Sequence, residues 1–154
     1  MKTIDELKRQ YDSLTYEIIG AAMEVHREMG CGFLEPVYGD ALAIEFRKRG
    51  IPFKREEKIE IHYKGETIDH YYIADFICFD RIIIELKAVN ELIAAHDSQV
   101  LNYLNATGIE VGLLINFGET CLKHRRFFNT SKNPTNPLKY NQRVHGIIES
   151  DKSV

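Results

Sequence analysis

No stretch of this 154-residue chain approaches the ~18 to 20 consecutive apolar residues that a membrane-spanning helix needs, and no internal repeat points to a fibre. No membrane partner is therefore expected. The opening run, Met1-Lys-Thr-Ile-Asp-Glu-Leu-Lys8, mixes acids with bases and lacks an apolar core. It does not read as a secretory signal, and a cytoplasmic address is the expectation. Cysteine is scarce: Cys31, Cys78 and Cys121 stand far apart, odd in number and without a CxxC pair. That excludes a disulfide framework and a zinc ribbon and leaves buried, reduced thiols. The six histidines show no HxxxH or HExxH spacing, so a histidine zinc site has no support. The glycine-rich signatures G-x-x-x-x-G-K-[ST], G-x-S-x-G and G-x-G-x-x-G are also missing. Nucleotide motors, serine hydrolases and dinucleotide enzymes are set aside with them.

What is present fits one compact domain. Hydrophobic residues make up 44%, charged residues 28%, and eight Phe with eight Tyr can fill a sizeable core. The expected boundaries are an N-terminal extension over 1–13, a domain over 14–128 and a polar tail over 129–154. The net charge of -3 hides an asymmetry. Residues 14–119 hold 18 acids and 10 bases, whereas 120–148 hold six bases (Lys123, Arg125, Arg126, Lys132, Lys139, Arg143) and no acid. Such a basic end serves either as a set of phosphate contacts or simply as a solvated tail.

Hydrophobic spacing predicts the elements. Ile18, Ala21, Ala22, Val25 and Met29 recur at helical steps from Leu14 to about Met29, before Gly30-Cys31-Gly32. A second helix opens on Glu35-Pro36 and carries Val37, Ala41, Leu42 and Phe46 to Gly50. Alternation then takes over in Phe53 to Tyr63, with Ile59, Ile61 and Tyr63 on one face and Lys58, Glu60 and His62 on the other. Thr67 to Phe79 makes a second strand, and His70 is expected to face His62 across the hairpin. Asp80-Arg81 turns into Ile82-Ile83-Ile84-Glu85-Leu86-Lys87, whose isoleucine run marks a strand covered on both faces at mid-sheet. Glu91 to Asn105 returns to helix, Val111 to Phe117 is another buried strand, and Cys121 to Phe128 reads as an edge strand. The chain from Asn129 onward, rich in Asn, Pro, Lys and Ser, is expected to be extended or mobile.

The informative oddity is ionisable residues in the most apolar strand. Glu85 and Lys87 are two apart and share a face, and Asp75 lies on the neighbouring strand of the same hairpin. Burying them is costly unless something pairs them, and a hard divalent cation suits carboxylate oxygens. Register decides whether they meet. A two-residue turn would put Asp75 on the face opposite Glu85. A three-residue turn, Phe79-Asp80-Arg81, pairs Cys78 with Ile82 and brings Asp75 opposite Glu85, roughly 4.5 to 5.5 Å apart at Cβ. An odd-length loop or a bulge is therefore predicted.

Asp75, nine residues, then Glu85-Leu86-Lys87 resembles the core of the PD-(D/E)XK nuclease superfamily, with Ala74 where a Pro often precedes the Asp. Gln99-Val-Leu-Asn-Tyr103 resembles the QxxxY element of RecB-like members. Gly32-Phe-Leu-Glu35-Pro-Val-Tyr38 resembles the signature of the GxxExxY family within it. The resemblance covers about residues 14–128. It implies an α+β, restriction-endonuclease-like core, a mixed central sheet with a three-strand meander flanked by helices in the order α-α-β-β-β-α-β-β. It also implies metal-dependent phosphodiester hydrolysis with Mg2+ or Mn2+. Asp75, Glu85 and the Leu86 backbone carbonyl would be metal ligands, joined by Glu35 as an additional acid from the second helix. Lys87 would position water and stabilise phosphate charge, and Gln99 and Tyr103 would orient or contact substrate. Tyr38 reads as a packing residue.

The residues also permit plainer readings: a Glu85–Lys87 salt bridge, a Glu35 favoured at a helix start, a Tyr103 that is core, and a surface pair in His96-Asp97. The leading expectation is a nuclease acting on DNA, or on RNA. Its rivals are a catalytically silent module binding nucleic acid or a protein partner, and an enzyme using the carboxylates on another phosphoester or for acid/base work. Because the body is acidic, a homodimer or a protein partner is expected to complete the nucleic-acid groove.

Overall fold

The computed structural model describes residues 2–130 and 148–151. Helix α1 (Ile4–Met29) starts at a capping box. The Thr3 hydroxyl accepts the Glu6 N–H at 3.2 Å, and the Glu6 carboxylate accepts the Thr3 N–H at 2.7 Å. It therefore begins ten residues before Leu14. Leu7 and Tyr11 prolong the apolar stripe upstream and are buried in the core, so residues 4–13 are part of this helix rather than an extension to it. Helix α2 (Glu35–Arg49) carries Pro36 in its first turn and ends at Gly50, as its sequence signals.

Strands β1 (Phe53–Tyr63), β2 (Glu66–Cys78) and β3 (Ile82–Lys87) form an antiparallel meander; α3 (Ala94–Thr107) crosses over to β4 (Val111–Asn116), parallel to β3, and β5 (Lys123–Phe128) returns antiparallel. This is the restriction-endonuclease-like order α-α-β-β-β-α-β-β. A sixth strand, β6 (Ile148–Asp151), pairs antiparallel with β5, so the sheet runs β1-β2-β3-β4-β5-β6 and β5 is not an edge. Its sequence, Ile-Glu-Ser-Asp, has no apolar alternation to announce it; the backbone register with β5 defines it. The remainder of the expected extended tail, 131–147 and 152–154, lies outside the described residues, with Lys132, Lys139 and Arg143.

The central position of β3 follows from its composition. Ile82, Ile84 and Leu86 join the core under α1 and α2, while Ile83 joins the cluster under α3 with Val100, Tyr103, Leu104 and Leu114. Burying each isoleucine contributes roughly 1.5–3 kcal/mol. Helix α3 lies close on the sheet because position 112 is glycine: a Cβ there would sit 2.7 Å from Val100 Cγ1.

Two local irregularities place the polar residues. Phe53, Phe76 and Cys78 face α2, but Ile59, Tyr72 and Ala74 face α3, although 53 and 59, like 76 and 74, share strand parity. The alternation inverts at Glu56 and Asp75, where Glu56 has φ 56° and the pair is missing from the ladder between Arg55↔Phe76 and Glu57↔Ala74. Nearer the hairpin tip the register shifts between Glu60 and His62, so His62 faces Thr67 rather than His70 and shares a 3.2 Å hydrogen bond with its hydroxyl. Of the three thiols only Cys78 is buried. Cys31 and Cys121 lie in the α1–α2 and β4–β5 turns and are exposed, because the apolar stripes stop before both turns.

Candidate active site

The β2–β3 turn sets the site. Phe79 and Asp80 both adopt φ 56°, and Arg81 N–H donates to the Cys78 carbonyl at 3.0 Å, closing a three-residue loop. The pairs Cys78↔Ile82, Ile77↔Ile83 and Phe76↔Ile84 follow, which is the odd-loop register predicted, and Asp75 comes opposite Glu85. There the backbone ladder gives way to side chains. Leu86 N–H donates to Asp75 Oδ2 at 2.8 Å, and Asp75 N–H donates to Glu85 Oε1 at 3.3 Å. With the β1 ladder also interrupted at Glu56, Asp75 is released from both neighbouring strands.

Glu85 is 4% exposed. Burial holds its carboxyl well above the ordinary carboxylate range, the charge of Asp75 and its side-chain hydrogen bond push the same way, and Lys87 and the Asp75 backbone N–H oppose them. Lys87 Nζ lies 3.9 Å from Glu85 Oε2, its side chain 17% exposed. One ammonium cannot neutralise two carboxylates, so the pair retains a proton unless another cation replaces it. The Leu86 carbonyl leaves β3 on the same edge as its N–H, toward Asp75, whereas the Lys87 carbonyl turns the other way to accept Phe117 N–H at 2.8 Å. Two carboxylates and a backbone oxygen are hard donors of the kind that would suit Mg2+.

Glu35, in the first turn of α2, is half-buried, and its carboxyl is raised by burial and then by the charge of Asp75, with Lys87 opposing. The charges of Asp75 and Lys87 both reach it. Among the described residues, however, no three His, Cys, Asp or Glu side chains converge in metal-holding geometry, so Glu35 stands outside the Asp75–Glu85 contact. Its helix is held by Tyr38, whose hydroxyl donates to the Gly30 carbonyl at 2.5 Å and whose ring stacks on Phe117 at 4.7 Å.

Helix α3 covers the other side. Gln99 Nε2 donates to the Tyr103 hydroxyl at 2.9 Å, and Tyr103 is buried against the Tyr72 ring, 5.0 Å between centroids. Burial and then the Glu85 charge push the Tyr103 phenol up. His96 completes this row at i, i+3 and i+7, a spacing visible in the sequence and passed over there. Its Nδ1 accepts Ile93 N–H at 3.1 Å, and burial followed by the Lys87 charge lowers its pKa. Asp97 does not serve His96; it takes Arg125 Nη1 at 2.8 Å on both oxygens. Arg126 likewise bonds to Asp12 and Thr15. Two of the bases expected to reach phosphate are therefore already engaged in ion pairs within the fold. Tyr72 was another site neighbour without a sequence signal, since one more Tyr in an aromatic strand carries none.

Set beside known proteins, residues 12–127 match the family model of the PD-(D/E)XK nuclease superfamily. No curated protein and no solved structure matches the chain.

Proposed function

Because this chain belongs to the PD-(D/E)XK nuclease superfamily, whose members generally use divalent metals, we propose that it hydrolyses phosphodiester bonds of nucleic acid, DNA before RNA. The observation that carries the reading is the buried Asp75–Glu85 contact, built where the sheet gives up its own hydrogen bonds, with Lys87 beside it. Asp75, Glu85 and the Leu86 carbonyl would hold Mg2+ or Mn2+, with Glu35 a further acid at the rim. Bound there, the cation would supply a more acidic water and neutralise negative charge on the phosphate. Glu85 must first release the proton it keeps beside Asp75. Lys87 orients the attacking water and stabilises the negative charge that develops on the phosphate oxygens. The hydrogen-bonded Gln99–Tyr103 pair is a rigid wall that orients substrate against the carboxylates.

The finer placement, in the GxxExxY family, rests on Gly32, Glu35 and Tyr38. The acidic body and the engaged arginines favour a homodimer or protein partner that completes the nucleic-acid groove. A fold does not by itself establish an activity, so the chemistry is tested directly. Saturating Mn2+ should raise the melting temperature of the wild type by several degrees, and Asp75→Asn should lose most of that rise because a ligand charge is gone. Labelled single- and double-stranded DNA should be cut by the wild type and not by Lys87→Ala. A metal-insensitive protein that cuts nothing would instead be a nuclease-fold binding module.

A further inference from the structure

Asn116 is the most conspicuous polar residue outside the carboxylate pair. It ends the apolar strand Val-Gly-Leu-Leu-Ile-Asn, is 0% exposed and lies in register with Lys87 across the parallel β3–β4 ladder. A buried carboxamide is costly unless satisfied, and this one is saturated. Its Nδ2 donates to the Val89 carbonyl and to Glu119 Oε2, both at 2.9 Å; its Oδ1 accepts Val89 N–H at 3.0 Å and Gly118 N–H at 3.1 Å. The side chain thus takes both backbone groups of the residue two beyond Lys87. The next residue holds Lys87 itself, because Phe117 N–H donates to the Lys87 carbonyl at 2.8 Å. Gly118 lies flush against the same segment: a Cβ there would be 2.4 Å from Val89 N and O.

The tripeptide also reaches the opposite wall of the site. The Phe117 ring stacks on Tyr38, with 14° between planes, and the Tyr38 hydroxyl ties down Gly30 and Phe33 just before Glu35. Glu119, held by Asn116, has its carbonyl bonded to His26 Nε2 at 2.9 Å near the end of α1.

Resting on the nuclease reading, we infer that the Asn116-Phe117-Gly118 turn is the positioning element of the active site, fixing Lys87 through the 87–89 backbone and Glu35 through Tyr38. Asn116 acts through Lys87 and touches no substrate. It is a positioning residue whose value is geometric, since a displacement near 1 Å at a reacting group can cost about a hundredfold in rate.

The test compares Asn116→Asp, which keeps the shape and loses both N–H donors, with the wild type, using hydrogen exchange by mass spectrometry and steady-state cleavage of DNA with Mn2+. Amides of 87–91 should exchange at least tenfold faster while β2 and α3 stay protected. The kcat should fall on the order of 10- to 100-fold with KM within about twofold, and the Mn2+-induced rise in melting temperature should persist because Asp75 and Glu85 are untouched. A merely structural role would lower kcat and the Mn2+ response together, in proportion to the folded fraction, and would overturn the inference. So would unchanged exchange at 87–91, or faster exchange with normal kcat. Should Asn116→Asp fail to fold, Gly118→Ala, which forces the 88–89 backbone aside, is read on the same criteria. A wild type that cuts no DNA or RNA refutes the nuclease reading alone; exchange at 87–91 then decides whether the clamp exists.

Discussion

Replacing Glu85 by Gln keeps the shape of the side chain and removes its proton equilibrium, which makes the electrostatics of the site measurable without substrate. In the metal-free folded protein the Glu85 carboxyl stays protonated past neutral pH, whereas in the unfolded chain it ionises near its ordinary 4.5. Across that interval the folded state binds one more proton than the unfolded state, so stability falls as pH rises, by about 1.4 kcal/mol per pH unit. Between pH 4.5 and 7 the loss is on the order of 3 kcal/mol. Gln has no such slope, although its amide is a poorer partner for Asp75 and gives back about 1 kcal/mol. In EDTA, Glu85→Gln should therefore melt close to the wild type at pH 4 and roughly 4 to 8 °C above it at pH 7.5. Saturating Mn2+ should reverse the order at pH 7.5, since the wild type gains a ligand-bound state and the variant does not. Differential scanning fluorimetry from pH 4 to 8.5, with and without metal, gives all four curves. A constant offset between the two proteins across the EDTA series would refute the reasoning, because it would mean that Glu85 is ionised in the fold.

Other consequences are simpler to measure. Tyr38→Phe keeps the stack on Phe117 but loses the hydroxyl bonds to Gly30 and Phe33, which should cost about 1 to 2 kcal/mol and lower the melting temperature by roughly 3 to 6 °C. Arg125→Met strands Asp97, whose side chain is only 13% exposed, and should lower stability in urea by about 2 kcal/mol; adding Asp97→Asn should recover most of the loss.

The sheet and its site were readable to the extent that one periodicity or one register governed them. Glu85 and Lys87 stood out because acids and bases interrupt an isoleucine run, and the requirement that Asp75 join them determined the turn length. The start of α1 was missed although Thr3 and Glu6 form a capping box and Leu7 and Tyr11 extend the stripe; the intervening charges diluted the pattern. Strand β6 was invisible because the sequence Ile-Glu-Ser-Asp carries no strand periodicity. The inversion at Glu56 and Asp75 was hidden for a different reason: a non-glycine residue in the left-handed region leaves no compositional mark. How near Glu35 comes to the pair was not legible, because α2, which carries it, is held by the stack of Tyr38 on Phe117, residues far apart in sequence.

Surface turns are ordinarily where lineages gain and lose residues at little cost. The Phe79-Asp80-Arg81 hairpin is denied that freedom, because a single deletion would slide β2 against β3 by one place, turning the aspartate away from its glutamate and the buried Phe76 and Cys78 away from their core. Related chains should therefore vary the lettering of this turn far more readily than its length, and a homologue with one residue more or fewer here would have had to bring its aspartate and glutamate together by another route.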